Sequence, residues 1–215
     1  MIEARSISLR LRSRRPARRG LAGLCLVTLG LYGCGGGGNP LGNPPLIDNP
    51  ASTTGKKLSF AYFQKCINPI FLAQLQININ GQVSVNTCAG SGCHDNANGT
   101  GGALRVVPAA KPLDVTDPAN TAEVIRASDI YKNFYSAQAS TDVGAPAQSR
   151  LLIKPLLQGV LHGGGLIFTN DQDPNVKLIR YWISRPAPQG QDEFSTATYS
   201  MFTPADPKVG TCNTD

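Results

Sequence analysis

Two thiols and an imidazole stand within seven residues, Cys88-Ala-Gly-Ser-Gly-Cys93-His94, and no other stretch of this chain restricts its fold and chemistry so tightly. Three chemistries use such a set. In covalent haem attachment the two thiols add to the vinyl groups, and the adjacent histidine becomes the proximal iron ligand. The usual spacing is C-x-x-C-H; here four residues separate the cysteines, and all four (Ala89, Gly90, Ser91, Gly92) are small enough to let the longer loop bulge beside a porphyrin. A zinc site needs four ligands, which Cys88, Cys93, His94 and His162 would supply. A local Cys88–Cys93 disulfide with His94 on a loop is the third reading. The spacing favours haem and leaves the other two open.

The sequence of 215 residues carries 20 Lys and Arg against 14 Asp and Glu, a net +6. That charge is all in residues 1–33, where seven arginines (Arg5, Arg10, Arg12, Arg14, Arg15, Arg18, Arg19) face one acid, Glu3. The remainder is neutral, so no basic face for a phosphate backbone is expected and nucleic acid is excluded as a partner. The arginines precede an apolar run, Leu21–Gly33, which is too short for a membrane span but suits a signal-peptide core. Residues 1–33 therefore read as a lipoprotein signal peptide. Leu31-Tyr-Gly-Cys34 resembles the bacterial lipobox, in which the cysteine is lipidated and becomes the new N-terminus. Gly35 after it resembles lipoproteins released to the outer membrane. The expected location is thus the cell envelope, lipid-anchored, facing the periplasm or the exterior. Export makes disulfides permissible. Residues 34–57, dense in Gly and Pro, offer little to bury and read as a tether.

The folded part is expected from Leu58. Phe60, Phe63 and Ile67 recur at helical spacing and Asn68-Pro69 resembles a helix start, so 58–76 predicts two short helices with a bend, buried also through Phe71 and Leu75. Ile77-Asn-Ile-Asn80-Gly81-Gln-Val-Ser-Val85 alternates around an Asn-Gly turn and predicts a small β-hairpin. Asp117-Pro118 and Asp173-Pro174 read as helix starts. The second is supported by an apolar stripe of Val176, Ile179 and Ile183 with Leu178 and Trp182 over 174–184, and a further helix is expected over about 146–153. The chain reads as mostly α, short-helixed, with long loops.

Cysteine arithmetic narrows the pairing. Cys25 leaves with the signal and Cys34 takes lipid, so four of the six cysteines remain. If Cys88 and Cys93 hold haem, Cys66 and Cys212 are left as one disulfide that pins the polar tail, 195–215, to the first helix. The other histidine, His162, is followed by Gly163-Gly-Gly165, which allows close approach to a flat macrocycle. It is the main candidate for a distal iron ligand; Met201 and an open position are the alternatives. His-Gly-Gly-Gly also occurs in the oxyanion loop of lipases, but no G-x-S-x-G nucleophile follows it.

With these residues placed, 58–194 resembles a c-type cytochrome domain of the kind carried by bacterial envelope lipoproteins, some of which use the longer C-x4-C-H spacing. Phe60-Ala-Tyr-Phe-Gln-Lys-Cys-Ile-Asn-Pro69-Ile is similar to the helix before the haem motif. Gly144-Ala-Pro146-Ala-Gln-Ser149-Arg-Leu-Leu152 is similar to a P-G-x-P-x-x-S-x-L segment, and His162-Gly-Gly-Gly165 and the Trp182-Ile183 helix end follow in order. Two extra residues in the motif, the hairpin at 77–85 and Val143 in place of Pro are departures. The resemblance implies a small helical cytochrome c-like domain with one covalent haem c and electron transfer between redox protein partners. The lipid anchor is the membrane contact. An electron carrier or oxidoreductase subunit is implied rather than an enzyme with a small-molecule substrate. Phe60, Phe63, Phe71, Leu151, Leu152 and Trp182 would then form a dry shell around the ring. The competing reading is a haem-free, disulfide-stapled lipoprotein with a structural or binding role; a haem-based sensor is a third.

Overall fold

A helix whose sides are nearly all apolar must be wrapped by the rest of its domain, and the segment from Phe60 to Leu72 is such a helix. In the computed structural model, which describes residues 55–215, only Pro69 of this segment is exposed. The signal peptide, Cys34 and nearly all of the tether lie outside the described residues. Ser59 caps the segment, its side chain accepting from the Tyr62 amide. Helix α1 (Phe60–Tyr62) runs directly into a π-turn (Phe63–Ile67) and then α2 (Asn68–Leu72). The π-turn accommodates Pro69, which has no N–H for the ladder: the Asn68 amide reaches back five residues to Phe63 instead of four. One helical run thus replaces the two bent helices expected, and Leu75 leaves it to begin a strand.

That strand, β1 (Leu75–Ile79), pairs antiparallel with β2 (Gln82–Asn86), Ile77 opposite Ser84. The two-residue turn places Asn80 at φ 51° and Gly81 at φ 86°, the left-handed pair that an Asn-Gly hairpin requires. Asp117-Pro118 starts no helix. The Asp117 side chain accepts from the Ala119 amide in a local turn, and α3 (Ala122–Ala127) begins only after Thr121, whose hydroxyl caps it. Ser128 ends α3 by donating to the Ile125 carbonyl and starts α4 (Asp129–Ala139) by accepting from the Tyr131 amide. Ile130, Asn133, Phe134 and Ala137 form the buried face of α4 at helical spacing. The stretch 146–153 divides into a 3-10 turn (Pro146–Gln148) and α5 (Arg150–Ile153). Helix α6 (Pro174–Ser184) is capped by Asp173 and buries Val176, Ile179, Trp182 and Ile183.

These elements close on the central helix. Phe134 of α4 meets Phe60 and Phe63 edge-on, with ring centroids 5.5 Å apart in both pairs, and Trp182 of α6 packs on Phe63 at 5.4 Å. Buried Asn133 donates to the Asn68 side chain at 2.9 Å and accepts from the Val107 amide at 2.6 Å, joining α4, α2 and the following loop. The tail is part of the core. A 3-10 turn (Thr196–Met201) leads into β3 (Phe202–Thr203), which pairs with β4 (Thr211–Cys212); Met201 and Phe202 are buried, and Cys66 is disulfide-bonded to Cys212 across 146 residues.

The expectation of a mostly α, cytochrome c-like helical domain is corrected. Helix covers 34% and strand 11%, in six α-helices and two small sheets among the described residues, a mixed α/β arrangement with no cytochrome-like signal. The physical reason is that residues 87–121 and 154–173 satisfy their backbone groups through turns and loop-to-loop bonds rather than helices. No helix among the described residues is long and apolar enough to cross a membrane.

Replacing Cys66 and Cys212 together by Ala releases a closure of 146 residues and lowers stability by about 2–5 kcal/mol, read as a shifted denaturant midpoint. Glu193 is only 2% exposed. Burial alone would raise its carboxyl, but bonds from Tyr131 (2.7 Å) and Arg126 (3.0 Å) outweigh this and hold it below the usual range. Its stabilisation is therefore complete above the ordinary glutamate pKa, about 4.3, and is lost as pH falls below that value. Glu193→Gln is expected to cost about 1.5–3 kcal/mol at pH 7, with a difference from wild type that shrinks on titration from pH 5 to pH 3.

Candidate functional site

The loop after β2 is folded by its own backbone around Gly90. The Cys93 amide donates to the Gly90 carbonyl at 2.8 Å and the His94 amide to the Cys88 carbonyl at 2.9 Å, which turns both thiols and the imidazole toward the same side. Ala89 is buried and its amide donates to the Phe71 carbonyl at 3.1 Å, fastening the loop to the end of α2. His94 is also held from behind: the Val106 amide donates to its carbonyl at 2.8 Å, and an Asp95–Val106 bridge extends this contact.

Cys88, Cys93, His94 and His162 line one cavity of about 610 Å³, within the range of small-molecule and cofactor sites. Its roof is the inner face of the hairpin, Leu75, Ile77 and Ile79; Ile70 and Phe71 of α2, Leu151 of α5 and Ile179 of α6 form apolar walls, and Arg150 and Lys154 are its cationic residues. Of the six residues expected as a dry shell, only Phe71 and Leu151 line it. Phe60, Phe63, Leu152 and Trp182 lie buried in the core and do not line it. Met201 is buried beneath the tail and does not line the cavity either, so of the two candidate distal ligands only His162 is placed there.

The two histidines share one arrangement. His94 Nδ1 lies 3.1 Å from the Leu104 carbonyl and His162 Nδ1 lies 2.8 Å from the Gly165 carbonyl. A carbonyl only accepts, so both Nδ1 atoms carry a proton, and in the neutral form of either ring the unshared pair sits on Nε2. The rings are inclined by only 13°, with centroids 6.2 Å apart. Burial is the main cause that pushes the His94 pKa down, and the neighbouring His162, Lys154 and Arg105 add to it against the opposing Leu104 bond, so the neutral ring is favoured. Gly101 lies against this ring: a Cβ there would stand 2.6 Å from His94 Nδ1. In the sequence the Thr100-Gly-Gly-Ala103 stretch carries no signal beyond its paired glycines.

Cys88 and Cys93 are both free thiols. Burial first, and the neighbouring Cys93 second, push the Cys88 thiol up to about 11. The Asn86 amide nitrogen donates to Cys93 Sγ at 3.7 Å. The four side chains weighed as a zinc quartet are not gathered at a point: among the described residues no three His, Cys, Asp or Glu side chains converge to hold an ion. They are distributed around a cavity instead. In comparisons with protein-family models, curated proteins and solved structures, nothing matches this chain.

A thiol held near 11 is almost wholly protonated at neutral pH, and the thiolate is the nucleophile. Alkylation of Cys88 by iodoacetamide is expected to rise about tenfold per pH unit from pH 7.5 toward pH 10. Peptide mass spectrometry measures it; a Cys88 rate equal to that of a free thiol at pH 7.5 would contradict the half-buried placement.

Proposed function

We propose that this domain holds one haem c in the cavity beneath the hairpin and passes single electrons between redox protein partners. The observation that carries the reading is the pair His94 and His162: two near-parallel imidazoles, each with Nδ1 tied to a backbone carbonyl and Nε2 left free, 6.2 Å between centroids on one cavity. Two imidazoles that each bind one metal through a bond of about 2 Å can have their ring centroids roughly 6 Å apart, so His94 and His162 would be able to hold one metal between them. The carbonyl bonds behind both rings are the outer-shell contacts that fix tautomer and orientation in histidine ligands.

The donor set fits a macrocycle better than a bare ion. Two thiols and two imidazoles are spread over a cavity of about 610 Å³ and would surround a planar group; a single ion needs its ligands drawn to one point. Cys88 and Cys93 would hold the group as thioethers, His94 would be its proximal and His162 its distal ligand. Haem supplies a one-electron couple when bound. The rest is done by the chain: Ile70, Phe71 and Leu151 exclude water from one side, the hairpin covers another, and Arg150 and Lys154 offer positive charge to the carboxylates of the group. Two imidazole ligands place the potential below that of a His/Met pair. The lipobox-like Leu31–Cys34 and the Gly/Pro-rich tether support an envelope lipoprotein, anchored to the outer membrane and serving as a carrier or as a subunit of a larger oxidoreductase.

The test is a reduced-minus-oxidised absorption spectrum of the full chain, exported in a host with haem-attachment machinery. Sharp low-spin c-type bands, and haem that stays with the chain through denaturing electrophoresis, are expected. His94→Ala removes the low-spin bands. A folded but colourless product overturns the proposal and favours the haem-free, disulfide-stapled lipoprotein.

A further inference from the structure

The hairpin does more than roof the cavity. Both backbone groups of Asn78, in the middle of β1, are bonded away from β2: its amide donates to the Leu166 carbonyl at 2.9 Å, and its carbonyl accepts from the Leu166 amide at 2.9 Å. In an antiparallel ladder, alternate residues point these groups outward, so Asn78 gives its outward pair to the segment that carries His162. On that segment the Gly165 amide donates to the His162 carbonyl at 2.8 Å, and the Gly165 carbonyl accepts from His162 Nδ1 at 2.8 Å. Gly165 is thus bonded twice to the histidine, at backbone and ring, and is followed directly by the residue bonded to the hairpin.

Two independent constraints reserve position 165 for glycine. Its φ is +73°, and a Cβ there would lie 2.3 Å from the Asn78 carbonyl oxygen. Gly163 has neither constraint: nothing stands within 4 Å of its Cβ position, and its φ is not left-handed.

We infer that β1, acting through the Asn78–Leu166 bridge and Gly165, is the positioning device for His162, and that it decides whether the metal's second axial site is closed by this imidazole or open to a small exogenous ligand. The inference rests on the haem reading for its metal, but the positioning itself is a property of the polypeptide alone. Gly165→Ala forces Asn78 away from the loop and frees the imidazole; Asn78→Pro deletes the bridging amide while leaving the backbone ladder bonds of β1 to β2, losing in addition the bond from the Gly81 amide to Asn78 Oδ1 in the turn, and reaches the same end by another route.

The experiment has two readouts. In the haem-loaded full chain, carbon monoxide binding to the reduced protein is followed after rapid mixing. Wild type is expected to bind slowly, limited by His162 release, whereas Gly165→Ala and Asn78→Pro bind at least tenfold faster and approach His162→Ala. In the haem-free protein, the slowly exchanging Nδ1 proton of His162 is followed by NMR; it is expected in wild type and Gly163→Ala and absent from the two bridge variants. Wild-type carbon monoxide kinetics and a retained Nδ1 proton in a folded Gly165→Ala or Asn78→Pro protein would overturn the inference. A wild type that takes up no haem defeats the functional proposal, and the NMR comparison then still decides whether β1 positions His162.

Discussion

The fold depends on burying one helix on nearly all sides. Phe60–Leu72 leaves only Pro69 exposed, and a short helix of this kind has no stability in water without neighbours. Each neighbour answers a different part of it. Phe134 and Trp182 cover its aromatic side chains, Glu193 accepts the Phe60 amide through its carbonyl, and the Gln64 side chain both donates to and accepts from Leu113. The disulfide ties its Cys66 to the tail. Since α2 carries Ile70 and Phe71, the same helix that organises the core also supplies a wall of the cavity, so the site inherits the rigidity of the core on that side.

The opposite walls are loops, and their rigidity has another origin. Residues 87–106 bury few large side chains, but their amides are spent on one another and on Phe71, and Val106 answers the His94 carbonyl. The result is a histidine whose tautomer, ring plane and free nitrogen are fixed before any ligand arrives, which is how a preorganised ligand is built. His162 reaches the same state with less support: its ring bond is to a residue three positions on, and the segment is fixed to the hairpin by Leu166 and to Pro155 through the amides of Ile167 and Phe168. The two sides of the cavity therefore differ in kind, one anchored to the core and the other to a two-stranded ribbon.

The ribbon is marginal by itself. Val83 and Val85 of β2 stand exposed, and its stabilising contacts are the apolar inner face and the Asn78–Leu166 bridge. A hairpin with no third strand gains order only from what it packs on. Its stability and the placement of His162 are mutually dependent, and this coupling makes the His162 side the part of the cavity most open to adjustment.

The sequence by itself determined the local features whose cause is local. Asn80-Gly81 specifies a two-residue turn because only such residues accept both left-handed angles; Asp173-Pro174 and its apolar stripe specify α6; the Cys88–His94 spacing gathers three donors whatever surrounds them. The Cys66–Cys212 bond was legible only by counting thiols. The sequence misled where a local signal lost to another local bond, as at Asp117, or where a proline was absorbed by a π-turn, as at Pro69. Only the tertiary structure decided that the domain is mixed rather than mostly helical, that Met201 lies away from the cavity, and that His162 faces His94. The reason is range: His94 and His162 are 68 residues apart, and the contacts that fix the His162 segment, to Asn78 through Leu166 and to Pro155 through Ile167 and Phe168, join residues that no periodicity or motif connects.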